Sequence, residues 1–195
     1  MIKNKLLLAA FVIGLSCNVS AVEPSFDKAE IGYMDYSFDS PFSISEKLTG
    51  YEVKLSHSLN DNWYVAGSYT SVSKDVSSFE TVDLNVYDIG LGYRLPISEN
   101  IFGFGELDYL GSDLSSNNFG GSTSDGRQAK LGIKAMFTDN LEFTLALENI
   151  TDGGVSTNYT VIGGALNLND NMAFYFDYKS ESELNRSAIG FRFNF

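Results

Sequence analysis

Apolar side chains recur at every second position along most of this chain, from about Ala29 to the C-terminal Phe195. A repeat of two is the spacing of a β-strand with one apolar face, whereas a helix repeats every three to four residues. Each segment with this pattern is close to the length of about 9 to 11 residues that a tilted strand needs to cross a bilayer. The ten segments are residues 29–38, 49–59, 63–72, 82–95, 101–111, 126–137, 141–150, 159–168, 172–179 and 187–195. The first and eighth are the least regular, so a count of eight strands is the alternative.

The connections between these segments are of two kinds. Four are short and rich in turn-forming residues, at positions 60–62, 96–100, 138–140 and 169–171. The other five are longer and polar, and the largest is predicted to run from Gly111 to Gly126. Short turns at one end and long loops at the other are typical of membrane β-barrels, whose short turns face the periplasm. An even strand count then puts both chain ends at the short-turn end.

The polar positions within the segments are largely Gly, Ser, Asn and Thr. A water-facing sheet usually carries many Lys and Glu, so this composition favours a crowded interior. Charged residues are 19% of the chain and aromatic residues 14%, against about 25% charged residues in ordinary soluble domains. We therefore expect the apolar face to point outward into lipid, which offers no partner to an open sheet edge. The predicted fold is all-β: a closed antiparallel up-and-down transmembrane β-barrel of ten strands.

Hairpins centred on the short turns assign individual residues to the outward face. Leu59 is expected opposite Trp63, and Phe176 opposite Gly164. The remaining outward residues of the fourth, sixth and seventh segments are predicted to be Tyr87, Ile89, Leu91, Tyr93, Leu95, Leu131, Ile133, Ala135, Phe137, Leu141, Phe143, Leu145 and Leu147. Trp63, Phe137 and Leu141 are then expected to ring the short-turn end, as interfacial side chains do in membrane barrels.

The first twenty-one residues have the features of a cleaved signal peptide, with two lysines, an apolar run at 6–15 and small residues before the cleavage point. We predict residues 1–21 as this signal and residues 22–195 as the barrel domain. The single cysteine, Cys17, lies in the signal, so the mature chain is expected to lack disulfides and thiol chemistry. A lipoprotein acceptor role for Cys17 is the alternative, although Gly14 stands where a bulky aliphatic residue is required.

The net charge after signal removal is strongly negative. Two of the 13 basic residues and none of the 25 acidic residues lie in the signal, which leaves a net charge of −14. Nucleic-acid binding needs a basic face, so nucleic acid is not expected as a partner.

Charged residues at even-numbered positions of the fourth to seventh segments are predicted to point into the lumen. The hairpin centred on Asp139 sets Lys130 opposite Glu148 and Lys134 diagonal to Glu142. We interpret the set as a structural network of paired charges. Its predicted members are Asp88, Arg94, Glu106, Asp108, Lys130, Lys134, Glu142 and Glu148.

The hairpin centred on Ser98 sets Asp88 opposite Asp108, and facing like charges are destabilising. Three explanations are open: a bulge that shifts the register, a nearby lysine, or a bound cation.

The sequence offers no catalytic or cofactor motif. The single histidine, His57, is predicted on the outward face near the turn at 60–62, which favours a structural role at the interface. No Gly-Xaa-Ser-Xaa-Gly motif, His and Cys set with metal-ligand spacing or phosphate loop occurs. We therefore predict no cofactor, no metal site and no enzymatic activity, since an enzyme here would need a catalytic set of carboxylates and hydroxyls alone.

The last nine residues, SAIGFRFNF, carry aromatic side chains on one face and end in Phe195. With them the chain resembles the small Gram-negative outer-membrane barrels of the OmpA-transmembrane, OmpX and opacity-protein type, most of which have eight strands. In that group such a strand is the signal read by the barrel assembly machinery. The resemblance implies this role for Phe191, Phe193 and Phe195, and an outer-membrane location with periplasmic termini and extracellular long loops.

The expected function is a structural or surface-interaction role in the outer membrane, in contact with lipid and lipopolysaccharide and with the lumen mostly filled by paired charges. A narrow channel for small solutes or ions is the alternative. The longer loops carry an acidic excess that favours a solvated surface, with divalent cations beside lipopolysaccharide as the alternative. These acidic residues are Asp39, Glu46, Asp75, Glu80, Asp113, Asp125, Asp152, Glu181 and Glu183. The sequence indicates no particular partner for the loops.

Overall fold

The computed structural model describes residues 23–38, 46–77, 80–116, 120–181 and 184–195. The predicted signal, residues 1–21, lies outside them, as do loop residues Asp39 and Glu183. Within these ranges no helix has the length and hydropathy needed to cross a membrane. The described residues form ten strands: β1 (Lys28–Phe38), β2 (Glu46–Ser58), β3 (Trp63–Ser77), β4 (Glu80–Ser98), β5 (Ile101–Ser116), β6 (Gly120–Thr138), β7 (Leu141–Asp152), β8 (Val155–Asn167), β9 (Met172–Ser180) and β10 (Leu184–Asn194).

These strands close into a barrel. Each strand pairs antiparallel with the next in sequence, and β1 pairs with β10. Following paired residues once around the barrel from Phe102 returns to β5 at Leu114, twelve residues farther along. With about 3.3 Å per residue and about 4.8 Å between strands, this offset tilts the strands by about 40° from the barrel axis. The predicted closed ten-stranded barrel is confirmed, and the eight-stranded alternative is wrong.

Two of the short turns have the same asparagine geometry. Asn60 Oδ1 accepts hydrogen bonds from the backbone N–H groups two and three residues later, both at 2.9 Å. Asn169 Oδ1 accepts the same pair at 3.0 and 2.9 Å. The side-chain amides of Asn62 and Asn171 then donate to a main-chain carbonyl of the neighbouring strand, at 3.1 and 3.2 Å. The repeated sequence Leu-Asn-Asp-Asn therefore encodes one turn that also joins a third strand.

Several predicted loops are strand instead. The predicted loop from Gly111 to Gly126 is wrong, because β5 continues to Ser116 and β6 begins at Gly120 with their residues paired in register. Backbone hydrogen bonding carries these hairpins beyond the apolar segments, since the ladder requires no apolar side chains. Between β7 and β8 only Gly153 and Gly154 turn the chain, both with positive φ, as tight hairpin turns require.

The outer surface of the barrel is apolar and its interior is not. Leu131 and Leu147 are 70% and 67% exposed, whereas the side chains of Lys130 and Glu148, one residue away, are 19% and 0% exposed. This alternation is the arrangement of a barrel that faces lipid outside and encloses polar side chains. The predicted pairs of Phe176 with Gly164 and of Lys130 with Glu148 are confirmed.

Candidate functional site

The described ion pairs of the lumen are taken in three groups, of which the first two are joined by Lys54 Nζ at 3.6 Å from Glu30 Oε2. The first group joins the strands at which the barrel closes. Arg192 on β10 donates through Nε to Glu30 Oε1 on β1 and through Nη1 to Glu142 Oε1 on β7, both at 2.7 Å. Lys28 binds Glu30 at 2.9 Å, and Lys134 Nζ lies 3.7 Å from Glu142. Glu30, Glu142 and Arg192 are all buried, so this group acts as one unit within the barrel wall.

The second group surrounds the buried carboxylate of Glu52 on β2. Arg186 on β10 binds it, and Lys54 lies 3.0 Å from Oε1. Asp177 on β9 pairs with both cations, at 3.0 Å from Arg186 and 3.4 Å from Lys54. The Tyr175 hydroxyl donates to Glu52 at 3.0 Å.

The third group involves β5, β6, β7 and β9. Lys130 on β6 binds Glu106 at 2.7 Å and lies 3.7 Å from Glu148. Lys179 on β9 binds both oxygens of Glu148, at 2.7 and 2.9 Å. The Tyr64 hydroxyl donates to Glu106 at 3.0 Å. Each carboxylate of this group is therefore held by a cation, and Lys130 and Lys179 join β5, β6, β7 and β9.

The predicted lumen residues differ in what they contact. Lys130, Lys134, Glu106, Glu142 and Glu148 lie in the ion-pair groups described above. Arg94 lies outside these groups, at the short-turn end. Its Nε donates to the Asp61 carbonyl at 2.8 Å, and its guanidinium lies over the Phe26 ring at 4.8 Å.

The predicted juxtaposition of Asp88 and Asp108 is wrong. The turn falls at Glu99 and Asn100, later than the predicted centre at Ser98, and even with the bulge at residues 96–98 the register differs by two residues from the prediction. Asp88 therefore lies opposite Leu110 and Asp108 opposite Gly90. A bulge, one of the three explanations open from the sequence, is present, and the two carboxylates lie diagonally rather than face to face.

Hydrogen bonds from neutral side chains hold both of these carboxylates. Asp88 accepts one from Ser68, and Asp108 accepts one from Gln128 at 2.9 Å. No group of three or more His, Cys, Asp or Glu residues in the described ranges is arranged to hold a metal ion.

More than half of the described ion-pair network was missed from the sequence, because the even-numbered rule was applied to the fourth to seventh segments alone and because the inward charges of β9, Asp177 and Lys179, are at odd-numbered positions. The same rule on β1, β2 and β10 points Glu30, Glu52, Lys54, Arg186 and Arg192 inward. The pairing of β1 with β10 had no turn to set its register, so the contact between Glu30 and Arg192 could not be found from a hairpin. The missed residues are Lys28, Glu30, Glu52, Lys54, Asp177, Lys179, Arg186 and Arg192.

Two apolar clusters also fill the lumen, a feature that the Gly and Ser content of the strands did not predict. One cluster extends from Ala165 and Ala173, near the short turn at 168–171, to Met34, Leu48 and Val72 on the loop side, which are 0%, 9% and 1% exposed. The cluster toward the short-turn end is aromatic and includes Tyr64, Phe102 and Phe104. The charged groups lie beside these clusters, as the bond from Tyr175 to Glu52 shows, so the lumen is packed by both polar and apolar side chains.

The N-terminal segment, residues 23–27, enters the aromatic cluster from the short-turn end. Phe26 is 4% exposed, and its ring centroid lies 5.0 Å from that of Tyr64 and 6.1 Å from that of Phe102. Lys134 Nζ lies 4.3 Å above the same ring and donates to the Ser25 carbonyl at 2.9 Å. Phe26 is therefore held by aromatic packing and by cation–π contacts.

Asp27 fixes the end of this segment to the barrel rim. Its Oδ1 accepts a hydrogen bond from the Ser58 N–H at 2.7 Å and lies 2.8 Å from His57 Nδ1. The Asp27 carbonyl accepts from the Phe195 N–H at 3.2 Å, and the His57 ring stacks on Phe195 at 6.2 Å. His57 thus lies on the outside at the short-turn end, where the sequence placed it.

Burial raises the pKa of Asp27, but the hydrogen bonds from Ser58 and the neighbouring His57 outweigh burial and hold the pKa below its ordinary value.

A belt of tyrosines lies on the outer surface toward the loop end. Hydroxyls of the belt donate to polar residues beyond it, as Tyr69 does to Asn85 at 3.0 Å and Tyr109 to Asp125 at 2.7 Å. Such belts form where an apolar band meets the aqueous interface. Its members, between 40% and 56% exposed, are Tyr33, Tyr51, Tyr69, Tyr87, Tyr109 and Tyr178.

Beyond the belt the polarity of the wall reverses. Asp113 and Asp125 are exposed at outward positions, whereas Val72 and Leu110 are buried at inward positions. At the other end, Trp63 packs edge to face against Tyr93 with a centroid distance of 4.9 Å. The lipid-facing band is therefore bounded by aromatic side chains at both ends.

No family model matches the sequence, and no curated protein matches it. Among solved structures, the NanC porin superposes with a TM-score of 0.53 at 9% identity, over 85% of this chain and 100% of the porin chain. The chain shares the fold of a porin. This confirms the predicted resemblance to outer-membrane barrels at the level of the fold.

Two further solved structures also match. Ail, the attachment invasion locus protein of Yersinia pestis, matches with a TM-score of 0.49 at 14% identity, over 88% of this chain and 100% of Ail. OprG from Pseudomonas aeruginosa matches with a TM-score of 0.46 at 12% identity, over 86% of this chain and 94% of OprG. At these scores and identities neither match carries a functional conclusion.

Proposed function

We propose that this chain is an integral outer-membrane barrel with a structural or surface-interaction role, no enzymatic activity and a closed lumen. The observation that carries the proposal is the cross-strand pairing of the lumen charges beside two apolar clusters. An open channel keeps its charges hydrated along a water path, whereas here Glu52, Glu142 and Glu148 are fully or almost fully buried and bound by cations. Such pairing supports a rigid scaffold that presents its loop end.

The dimensions of the apolar band support the membrane location. On β4 the outward apolar residues run from Tyr87 to Ile97. At about 3.3 Å per residue and a tilt of about 40°, this stretch spans about 25 Å along the barrel axis, which is the height of the apolar band of outer-membrane barrels. The tyrosine belt and Trp63 at its two ends support the same assignment.

We further propose that the short turns and both termini face the periplasm and that the loop end is extracellular, beside lipopolysaccharide. Phe191, Phe193 and Phe195 would then form the strand read by the barrel assembly machinery. Their outward positions on and after β10, at 41%, 45% and 68% exposure, support this role.

The test of the closed scaffold is conductance in planar lipid bilayers. Protein purified in detergent and reconstituted should give no steady single-channel steps, while folded protein in the same sample is shown by its heat-dependent mobility in SDS gels. Regular steps of constant size from the folded fraction would overturn the proposal.

A narrow channel is the second candidate, and one observation favours it. The lumen retains a cavity of about 150 Å³ among its charged residues, enough for several water molecules. The same conductance recording distinguishes the two candidates, because a channel must give steps that the closed scaffold does not.

A further inference from the structure

Two cavities lie on either side of the N-terminal segment. The lumen cavity of about 150 Å³ is lined by charged residues such as Lys54, Asp88 and Lys130. A second cavity of about 620 Å³ lies at the short-turn end and is lined by residues of the turns, including Asp139 and Asp170. Among the described residues, Phe26 alone lines both cavities. Phe26 therefore lies between the lumen cavity and the short-turn end, beside the Arg192–Glu142 pair, whose members line one cavity each.

The opposite end of the lumen is closed by the barrel itself. Met34, Leu48 and Val72 belong to β1, β2 and β3, and all three are buried in the loop-side part of one apolar cluster. These side chains cannot leave without movement of strands that are paired on both sides. The barrier at the short-turn end is different, because it belongs to residues that precede the first strand.

The backbone of the N-terminal segment is held mainly by side chains of the barrel. The Ser25 carbonyl accepts a hydrogen bond from Lys134 Nζ at 2.9 Å. The Ser25 N–H donates to Glu142 at 3.2 Å, the Phe26 carbonyl accepts from the Ser56 hydroxyl at 2.6 Å, and the Asp27 carbonyl accepts from the Phe195 N–H. Apart from that last bond these partners are side chains, so the segment can withdraw while every ladder of the barrel stays paired. A strand of the wall has no such freedom, since its removal would break two ladders.

We infer that the N-terminal segment is a displaceable plug, with Phe26 as the barrier that separates a charged lumen chamber from solvent at the short-turn end. Displacement of Phe26 would join the two cavities and admit water and small solutes to the chamber. The chamber would remain closed toward the loops by the apolar cluster of β1, β2 and β3. This inference concerns access to the lumen and does not depend on which end of the barrel faces the periplasm.

The test uses a single introduced thiol as a reporter of access. Cys17 is the only cysteine of the chain, so Cys17→Ser together with Ser68→Cys leaves one thiol, at a residue that lines the lumen cavity. The full chain carrying these changes, purified in detergent, is treated with a small charged methanethiosulfonate, and the rate of modification is followed by mass spectrometry. Ser98→Cys, at an exposed residue beside a short turn, gives the rate for an open position.

The decisive comparison is between Phe26→Ala and Phe102→Ala in this background. Both remove a ring from the same aromatic cluster, but Phe102 lines neither cavity. We expect Phe26→Ala to raise the modification rate of residue 68 by at least about tenfold, and Phe102→Ala to change it by less than about twofold. Heat-dependent mobility in SDS gels checks that both variants are folded.

Three results would overturn the inference. The first is that, in the protein without a change at Phe26 or Phe102, the thiol at residue 68 reacts as fast as the thiol at residue 98. The chamber would then already be open to solvent. The second is that Phe26→Ala leaves the modification rate of residue 68 unchanged. The ring would then not be the barrier. The third is an equal increase in the two variants, which would indicate general loosening of the cluster. If Phe26→Ala does not fold, Phe26→Leu takes its place, with a smaller increase expected and the same three contrary results.

Discussion

Arg192 on β10 donates to Glu30 on β1 across the one pair of strands that no turn connects. The two residues are direct partners in the ladder, and both are buried. Every other pair of neighbouring strands is consecutive in sequence, so its register follows from a connection. No short connection sets the register of β1 against β10, so side-chain contacts between the two strands must favour one register. The ion pair between Glu30 and Arg192 forms only in the observed register.

The first prediction concerns this closing pair. Arg192→Met leaves the carboxylates of Glu30 and Glu142 buried with fewer cations, which should lower the free energy of unfolding by about 3–5 kcal/mol. Lys47→Met, at an exposed residue of β2, is the control and should change it by less than about 1 kcal/mol. Urea unfolding of both proteins in the same detergent measures the difference. Equal stabilities would mean that the pair contributes nothing at the closing strands.

The second prediction concerns the two equivalent turns. Asn60→Ala and Asn169→Ala each remove an oxygen that accepts two backbone hydrogen bonds, so each should destabilise the barrel by about 1–2 kcal/mol. Because the turns lie on different hairpins, the double variant should lose about the sum. Asp170→Ala, at the exposed middle residue of the second turn, should be close to neutral. A loss of stability in Asp170→Ala as large as that in Asn169→Ala would contradict this prediction.

The third prediction concerns pH and Asp27. A carboxylate whose pKa is lowered in the folded protein contributes stability at pH values above its unfolded pKa of about 4, and loses it as the pH falls through the lowered value. Between about pH 6 and about pH 3 the parent should therefore lose more stability than Asp27→Asn, in which this group cannot titrate. The other carboxylates are common to both proteins and cancel in the comparison. Identical losses would exclude a contribution from Asp27.

The fourth prediction concerns assembly in the cell. If the terminal strand is read by the barrel assembly machinery, Phe195→Ser should slow the appearance of folded barrel in the outer membrane severalfold. The change should have little effect on refolding in detergent, where no machinery acts. Ser187→Ala, on the same strand, is the control. If Phe195→Ser assembles in cells as fast as the unchanged protein, Phe195 is not part of an assembly signal.

The sequence predicted the fold well because the repeat of two fixes each strand and separates its two faces, and because the small polar residues of one face indicate that the apolar face points outward. Hairpin centring also paired Lys130 with Glu148 correctly, because the bulge at residues 136–138 brings the β6–β7 register onto a centre at Asp139. It failed for Asp88 and Asp108, because the turn between β4 and β5 lies at Glu99 and Asn100, later than the centre at Ser98.

The N-terminal segment was not predicted as part of the lumen. Residues 23–27 show no alternation and precede the first strand, so nothing in their pattern marks them as buried. Phe26 is recognisable only from the space between Tyr64, Phe102 and Phe104, which exists once the barrel is closed. The extension of β5 and β6 beyond the membrane was missed for a related reason, because paired backbone leaves no apolar signal in the sequence.

The central claim is that the exposed apolar face of the barrel lies in lipid, and a pair of lysine substitutions on β6 tests it most directly. Leu131 lies outward between the tyrosine belt and the short-turn end, whereas Thr123 lies outward on the same strand beyond the tyrosine belt. For a barrel folded in lipid bilayers, Leu131→Lys should cost about 2–4 kcal/mol and Thr123→Lys less than about 0.5 kcal/mol. In water an exposed leucine accepts lysine without penalty, so equal stability of the two variants would contradict the account.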